Sequence, residues 1–184
     1  MKPATTPAAA AAIRRHFNQT APDYKPLYNG QYMTQTAAGP VWSYFSPFSI
    51  ITAPDPLPDL PRVERVNQSD PVAFMQKAID NAGKYSRWSS REYHAPAQAV
   101  TVAALKEYRK TEDGKKYAYA IQDGDQEIGV NARYMLDLLT IYPAARVFVG
   151  GPFDIIILAD PETLDPVAAV SPVRLDINRK SKTA

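Results

Sequence analysis

Residues 127–139 read Glu-Ile-Gly-Val-Asn-Ala-Arg-Tyr-Met-Leu-Asp-Leu-Leu, and they join two different apolar patterns. Ile128 and Val130 alternate with Gly129, which is the pattern of a β-strand with one buried side. Asn131 can accept hydrogen bonds from the free N–H groups at the start of a helix. One apolar helix face then follows, formed by Tyr134, Met135, Leu138 and Leu139. The stretch therefore predicts a strand that runs directly into a capped helix.

The segments on either side predict an antiparallel sheet. Upstream, alternation over residues 100–105 and 117–121 predicts two strands, and the turn Asp123-Gly124-Asp125 leads into a third at 126–130. Downstream, three more strands are predicted at residues 145–149, 153–159 and 167–175. A further helix is predicted to begin at Ser69-Asp70-Pro71 and to end at Gly83, because an apolar stripe with helical spacing lies between them.

The N-terminal part of the chain has a different composition. Residues 8–17 are rich in alanine and predict a short helix, and the aromatic segment 24–48 predicts two or three strands separated by Asn29-Gly30 and Gly39-Pro40. Four prolines, at positions 54, 56, 58 and 61, then exclude regular structure across residues 53–61. We therefore predict an α+β protein in four parts: an N-terminal unit (1–52), a proline-rich linker (53–66), a domain (67–176) and a basic tail (177–184).

Two segments of this chain resemble the third domain of the bacterial DNA polymerase III beta subunit, the sliding clamp. In that family a Glu-Ile-Gly-Phe-Asn-type strand enters a Tyr-Leu-Leu-rich helix, and the chain ends in Met-Pro-Met-Arg-Leu. The matching segments here are Glu127 to Leu139 and Ser171-Pro172-Val173-Arg174-Leu175. The resemblance covers about residues 60–176, and it implies a DNA-clamp-like antiparallel sheet with two helices on one face, preceded by an abbreviated N-terminal unit. This chain departs from the family at Ser171, where methionine is usual, and by continuing for nine residues after Leu175.

The C-terminal strand of sliding clamps lines an apolar groove that accepts short linear motifs from replication proteins. Carried over position by position, the resemblance implies peptide contacts by Val170, Pro172, Val173, Arg174 and Leu175. An extended segment of this kind can present alternating apolar side chains while its backbone fixes the register of the peptide. The other interpretation of these residues is a final edge strand without a ligand.

The resemblance also implies nonspecific electrostatic contact with double-stranded DNA. The candidate residues are Arg14, Arg15, Lys77, Lys84 and Arg133. The net charge is only +2, so such contact would depend on a local patch. Arg14 and Arg15 also fall in the last turn of a predicted helix, where the helix dipole favours cations, and that structural role is the alternative. A clamp ring contains six such domains, so encircling DNA would require a homo-oligomer of this chain.

Motifs typical of catalysis, metal binding or cofactor binding are not found in the sequence. The chain has no cysteine, and its two histidines, His16 and His94, lie far apart and without a nearby cluster of carboxylates. Phosphate-binding loops and the nucleophile elbow of hydrolases are likewise missing. We therefore expect no catalytic residue, no metal and no cofactor. The apolar run at residues 8–13 is too short for a signal peptide or a membrane span, which favours the cytoplasm.

The sequence thus predicts a non-enzymatic, sliding-clamp-like protein of DNA replication or repair. It would bind DNA nonspecifically, linear peptide motifs of replication proteins, or both. The main alternative is a clamp-fold protein-interaction or decoy module that does not bind DNA. A third hypothesis is an enzyme on an unrelated α+β fold, since catalytic triads can assemble from residues that are distant in the sequence.

Overall fold

The computed structural model describes residues 5–17, 30–36, 39–46, 48–62, 93–111 and 118–175. Within these ranges the chain forms three helices, α1 (Pro7–Phe17), α2 (Val102–Thr111) and α3 (Ala132–Ile141). The strands in the same ranges are β1 (Gln31–Thr36), β2 (Gly39–Ser46), β3 (Ser49–Ala53), β4 (Ala118–Asp123), β5 (Gln126–Asn131), β6 (Arg146–Phe148), β7 (Ile156–Ala159) and β8 (Pro166–Val170). The fold is α+β with a mostly antiparallel sheet.

Six of these strands form one sheet in the order β1-β2-β3-β8-β7-β6, and each neighbouring pair is antiparallel. Strands β4 and β5 form a separate hairpin. At the centre of the sheet, Ser49 and Ile51 of β3 lie opposite Val170 and Ala168 of β8. The segments before and after the proline-rich stretch therefore contribute to the same sheet.

An isolated backbone bridge lies at each edge of the sheet. Gln31 of the edge strand β1 pairs with Arg62 in parallel orientation, and its N–H donates to the Pro61 carbonyl oxygen at 2.9 Å. At the other edge, Val149 directly follows β6 and exchanges two hydrogen bonds with His94, of 2.9 and 3.0 Å. Part of each edge is therefore already paired within the chain.

Helices α1 and α3 pack on one face of the six-stranded sheet, and α3 lies between α1 and α2. Met135 and Leu138 of α3 are fully buried, as are Ile13 of α1 and Leu105 of α2, and they belong to one apolar core. Burial of each such side chain contributes roughly 1.5–3 kcal/mol. The Asn131 carboxamide oxygen accepts hydrogen bonds from Arg133 N and Tyr134 N, so the predicted cap of α3 is confirmed.

The opposite face of the sheet carries a second, smaller apolar cluster built on Ile157 and Ala169. Tyr93 packs against this cluster and donates a hydrogen bond from its hydroxyl to the Ile155 carbonyl oxygen at 2.8 Å. Strand β7 is consequently buried along its whole length. This explains the continuous apolar run of β7, which does not alternate.

Most predicted elements in the described ranges are confirmed, including the start of the helix that follows Asn131. The strand predicted over residues 100–105 is wrong, because this segment lies at the start of α2. The Thr101 hydroxyl accepts a hydrogen bond from Ala104 N at 3.1 Å and caps that helix. The predicted helix of residues 69–83 lies outside the described residues. No helix in the described ranges is long and apolar enough to cross a membrane.

Candidate peptide-binding surface

The chain leaves the sheet after Val170, so the predicted strand of residues 167–175 is too long by five residues. The next segment is fixed by two backbone hydrogen bonds. Ser171 N donates to the Phe48 carbonyl oxygen at 2.8 Å, and Val173 N donates to the Gly129 carbonyl oxygen at 2.9 Å. Residues 171–173 therefore connect the turn before β3 to strand β5 of the separate hairpin.

A close approach at Gly129 holds this C-terminal segment against β5. A Cβ atom at position 129 would lie 2.2 Å from the Val173 carbonyl oxygen and 2.9 Å from Leu175 Cγ. Both distances are shorter than non-bonded carbon contacts allow, so only glycine permits the observed packing. Gly129 accordingly has a packing role that its place in an alternating strand did not reveal.

The five residues that the resemblance assigns to peptide contact differ in how far their side chains are exposed. Pro172, Val173 and Leu175 are half-buried, and Arg174 is exposed. Val170 is different, because it is only 1% exposed and lies in the main core. Its side chain cannot meet a peptide in this conformation, so Val170 is removed from the candidate surface.

Aromatic side chains lie beside the segment. Phe48, whose carbonyl oxygen holds Ser171, is 50% exposed and stacks on Tyr134 in the first turn of α3, with ring centroids 6.2 Å apart. Burial raises the pKa of the Tyr134 hydroxyl, which favours its neutral form. Phe153, in the turn between β6 and β7, is 63% exposed.

The sheet register brings the two exposed phenylalanines to the same end of the sheet. Ser49 of β3 and Ile156 of β7 both lie opposite Val170 of β8. The strands that follow Phe48 and Phe153 therefore start two strand spacings apart, roughly 10 Å. What we call the C-terminal surface is formed by Phe48, which stacks on Tyr134 and accepts a hydrogen bond from Ser171 N, and by the segment that follows. Its residues are Phe48, Tyr134, Pro172, Val173 and Arg174.

The cations predicted to contact DNA are placed differently. Arg14 forms a bidentate ion pair with Asp59, in which its Nε and Nη2 atoms donate to the two carboxylate oxygens at 2.7 Å. This pair lowers the pKa of the Asp59 carboxyl group and raises that of the Arg14 guanidinium. Arg15 donates from Nη2 to Asp137 Oδ1 at 2.7 Å. Both guanidinium groups are therefore already engaged by carboxylates of the same chain.

The ion pair between Arg15 and Asp137 has a structural reason. Asp137 lies on α3 and is only 4% exposed, and a buried carboxylate is costly without a cation beside it. Arg133 lies in the first turn of the same helix and is half-buried. Lys77 and Lys84 lie outside the described residues. The structure thus describes three of the five predicted cations, Arg14, Arg15 and Arg133. The first two form ion pairs that connect α1 to other parts of the fold.

A histidine and a carboxylate that the sequence did not connect also form a pair. His94 Nε2 lies 3.0 Å from both carboxylate oxygens of Asp123, whose side chain is 6% exposed. The pair fastens the segment before α2 to the end of β4. Within the ranges that the structure describes, no three His, Asp or Glu side chains are grouped so that they could hold a metal ion.

Comparison of the chain with models of known protein families, with curated proteins and with solved structures gives no significant match. The likeness to sliding clamps therefore rests on the two sequence segments themselves and is compatible with the observed α+β class.

Proposed function

We propose that this chain is a non-enzymatic protein-interaction module that binds a short extended peptide at the C-terminal surface. The proposal rests on Phe48, whose ring is half-exposed and stacks on Tyr134. The backbone carbonyl oxygen of Phe48 accepts a hydrogen bond from Ser171 N, which fixes the segment that contains Pro172 and Val173 beside it. Exposed apolar clusters of this kind are typical of binding sites, and aromatic anchors supply much of the affinity of peptide interfaces.

The surface is also held in place before a ligand arrives. The segment is anchored at Ser171 and Val173 by hydrogen bonds and at Leu175 by its contact with Gly129. A peptide would therefore not have to order it, which lowers the entropic cost of binding. Arg174 adds an exposed positive charge at the rim, where it can select for an acidic residue in the partner.

The resemblance to sliding clamps gives this proposal its biological setting. In that setting the domain is DNA-clamp-like, and its partners are replication or repair proteins with short linear motifs. The ion pairs of Arg14 and Arg15 favour the module that does not bind DNA over a clamp that does. Phosphate groups would have to compete with Asp59 and with the buried Asp137 for the same guanidinium groups.

The direct test is calorimetric titration of the full chain with a synthetic peptide that carries a sliding-clamp-binding motif. Phe48→Ala should weaken the affinity about tenfold or more, since truncation of an aromatic hot-spot residue typically costs about 2 kcal/mol or more. The matched control is Met33→Ala, because Met33 is 59% exposed on β1, two strands away from β3. Equal affinities of the parent chain and Phe48→Ala, or equal losses in both variants, would contradict the assignment.

A second titration separates the module from the DNA-binding alternative. Fluorescence anisotropy with a labelled DNA duplex at 50 and 200 mM salt should show no saturable binding. Binding that weakens steeply with salt and is further weakened by Arg133→Ala would instead support phosphate contact.

A further inference from the structure

A cleft of about 370 Å³ opens at the other end of the sheet from the C-terminal surface. Its walls are the start of α1, the end of α3 with the following turn, the end of β3, and the turn between β7 and β8. The C-terminal surface adjoins the beginning of β3 and the end of β8, so the two sites are separated by the length of the strands. A cleft of this volume is within the range of small-molecule sites.

The side chains of the cleft are almost free of charge. Among the described residues that line it, Asp160 is the only aspartate, glutamate, histidine, lysine or arginine. Its Oδ1 atom accepts hydrogen bonds from Glu162 N and Thr163 N, at 2.9 and 3.0 Å, which serve the local turn. Tyr142 also lines the cleft, and burial raises its hydroxyl pKa, so it stays neutral. The cleft therefore favours an uncharged ligand.

Most polar atoms of the lining already have partners. The Thr6 hydroxyl caps α1 through Ala9 N at 3.1 Å, and the Thr52 and Thr140 hydroxyls each donate to a backbone carbonyl oxygen at 2.8 Å. The Tyr142 hydroxyl is bonded to the backbone of Thr52. These residues consequently offer a ligand mainly their methyl and ring carbons.

Thr5 is the exception. Its Oγ1 atom is buried and has no hydrogen-bond partner among the described residues, although its backbone N–H donates to Asp55 at 3.1 Å. A buried hydroxyl without a partner is costly, and in folded proteins it usually meets a water molecule or a ligand. The cleft thus combines a largely apolar lining with one buried hydroxyl that has no hydrogen-bond partner among the described residues.

We infer that this cleft is a binding site for an uncharged, largely apolar small molecule with one hydroxyl or carbonyl group, which hydrogen-bonds to Thr5 Oγ1. The volume sets the size of this ligand, because an apolar cavity of roughly 150 Å³ holds one benzene ring. A fused two-ring molecule is therefore of suitable size. The site is separate from the peptide surface and does not depend on the function proposed for it.

The test uses 2-naphthol as the probe, with naphthalene and 2-naphthoate as its apolar and charged counterparts. Titration of the full chain, followed by fluorescence and by methyl chemical shifts, should show saturable 2-naphthol binding and at least tenfold weaker binding of 2-naphthoate. Thr5→Val removes the hydroxyl at constant shape, so it should weaken 2-naphthol binding about three- to tenfold and leave naphthalene unaffected. Thr101→Val, at the N-terminus of α2, is the matched control and should leave both affinities unchanged.

A cavity-filling variant checks the location. Ala145 lines the cleft and is half-buried, so Ala145→Leu should abolish binding of both naphthalene and 2-naphthol. If this variant does not fold, intermolecular NOEs from 2-naphthol to the methyl groups of Ala9 and Val167 in the unaltered chain decide the location. Absence of binding, equal affinity for 2-naphthoate, equal losses of both neutral probes in Thr5→Val, or binding without these NOEs would overturn the inference.

Discussion

Replacement of Gly129 by alanine should release the C-terminal segment from β5. The new methyl group would lie 2.2 Å from the Val173 carbonyl oxygen, whereas a carbon and an oxygen in contact are about 3.3 Å apart or more. The segment would have to move away by at least about 1 Å. A shift of that size breaks the 2.9 Å hydrogen bond from Val173 N to Gly129 and separates Leu175 from the strand.

The expected cost follows from these contacts. Loss of the hydrogen bond costs about 1 kcal/mol, and partial exposure of the half-buried Leu175 costs roughly another 1 kcal/mol. Alanine offsets about 0.5 kcal/mol of this, because it lowers the conformational entropy of the unfolded chain. We therefore expect Gly129→Ala to lower the free energy of unfolding by about 1–2 kcal/mol, within the usual range for overpacked sites.

The measurement combines urea unfolding with amide hydrogen exchange. Gly129→Ala should shift the unfolding midpoint to lower urea and remove the protection of the Val173 amide. The control is Gly124→Ala in the β4–β5 turn. Gly124 has φ +60°, and no other atom would lie within 4 Å of a methyl group on its Cα. This variant should therefore lose stability only because alanine disfavours a positive φ, and not through a steric clash. If Gly129→Ala kept both its stability and the protection of Val173, the packing described for this segment would be refuted.

Three further predictions concern the helices and the core. Arg15→Ala should cost about 1–3 kcal/mol because it leaves the buried Asp137 unpaired, and a double-mutant cycle with Asp137→Ala should show coupling well above zero. Asn131→Ala should cost about 1 kcal/mol in urea unfolding, since two N–H groups of α3 lose their acceptor. Burial raises the pKa of Tyr44 to about 12, above the value near 10 of the unfolded chain, so its contribution to stability is complete below pH 10 and is lost as the pH rises toward 12. Tyr44→Phe should therefore flatten the decline of stability between pH 10 and 12, and an unchanged slope would contradict this.

Local signals made part of the fold predictable. Asn131 and the apolar face behind it specify α3 within a dozen residues, and the alternation of Ile128 and Val130 specifies β5. The same alternation rule failed at residues 100–105, where Val102 and Ala104 fit a strand by their spacing. Leu105 and Tyr108 have helical spacing after the capping Thr101, and this signal, together with the alanines, would have favoured a helix.

The candidate site was less predictable because its contacts join distant parts of the chain. Phe48 and Tyr134 are far apart in the sequence, and nothing local shows that their rings stack. Arg15 and Asp137 are separated by 122 positions. The sequence therefore did not indicate this ion pair, and the only local partner for the charge of Arg15 was the dipole of its own helix. For Val170 the sequence allowed two interpretations, because an apolar side chain is compatible both with a peptide groove and with the core. The position of β8 between β3 and β7 shows that Val170 belongs to the core.

The bridges at Arg62 and His94 bear on how copies of this chain could associate. Edge strands of a sheet are where a second molecule can add its own strand, and a ring assembled by such additions needs two open edges per subunit. Here Gln31 and Val149 already have backbone partners from the same molecule. Growth of the sheet across subunits would first have to displace these partners. Self-assembly through the edges at those two positions therefore competes with pairing inside the same molecule.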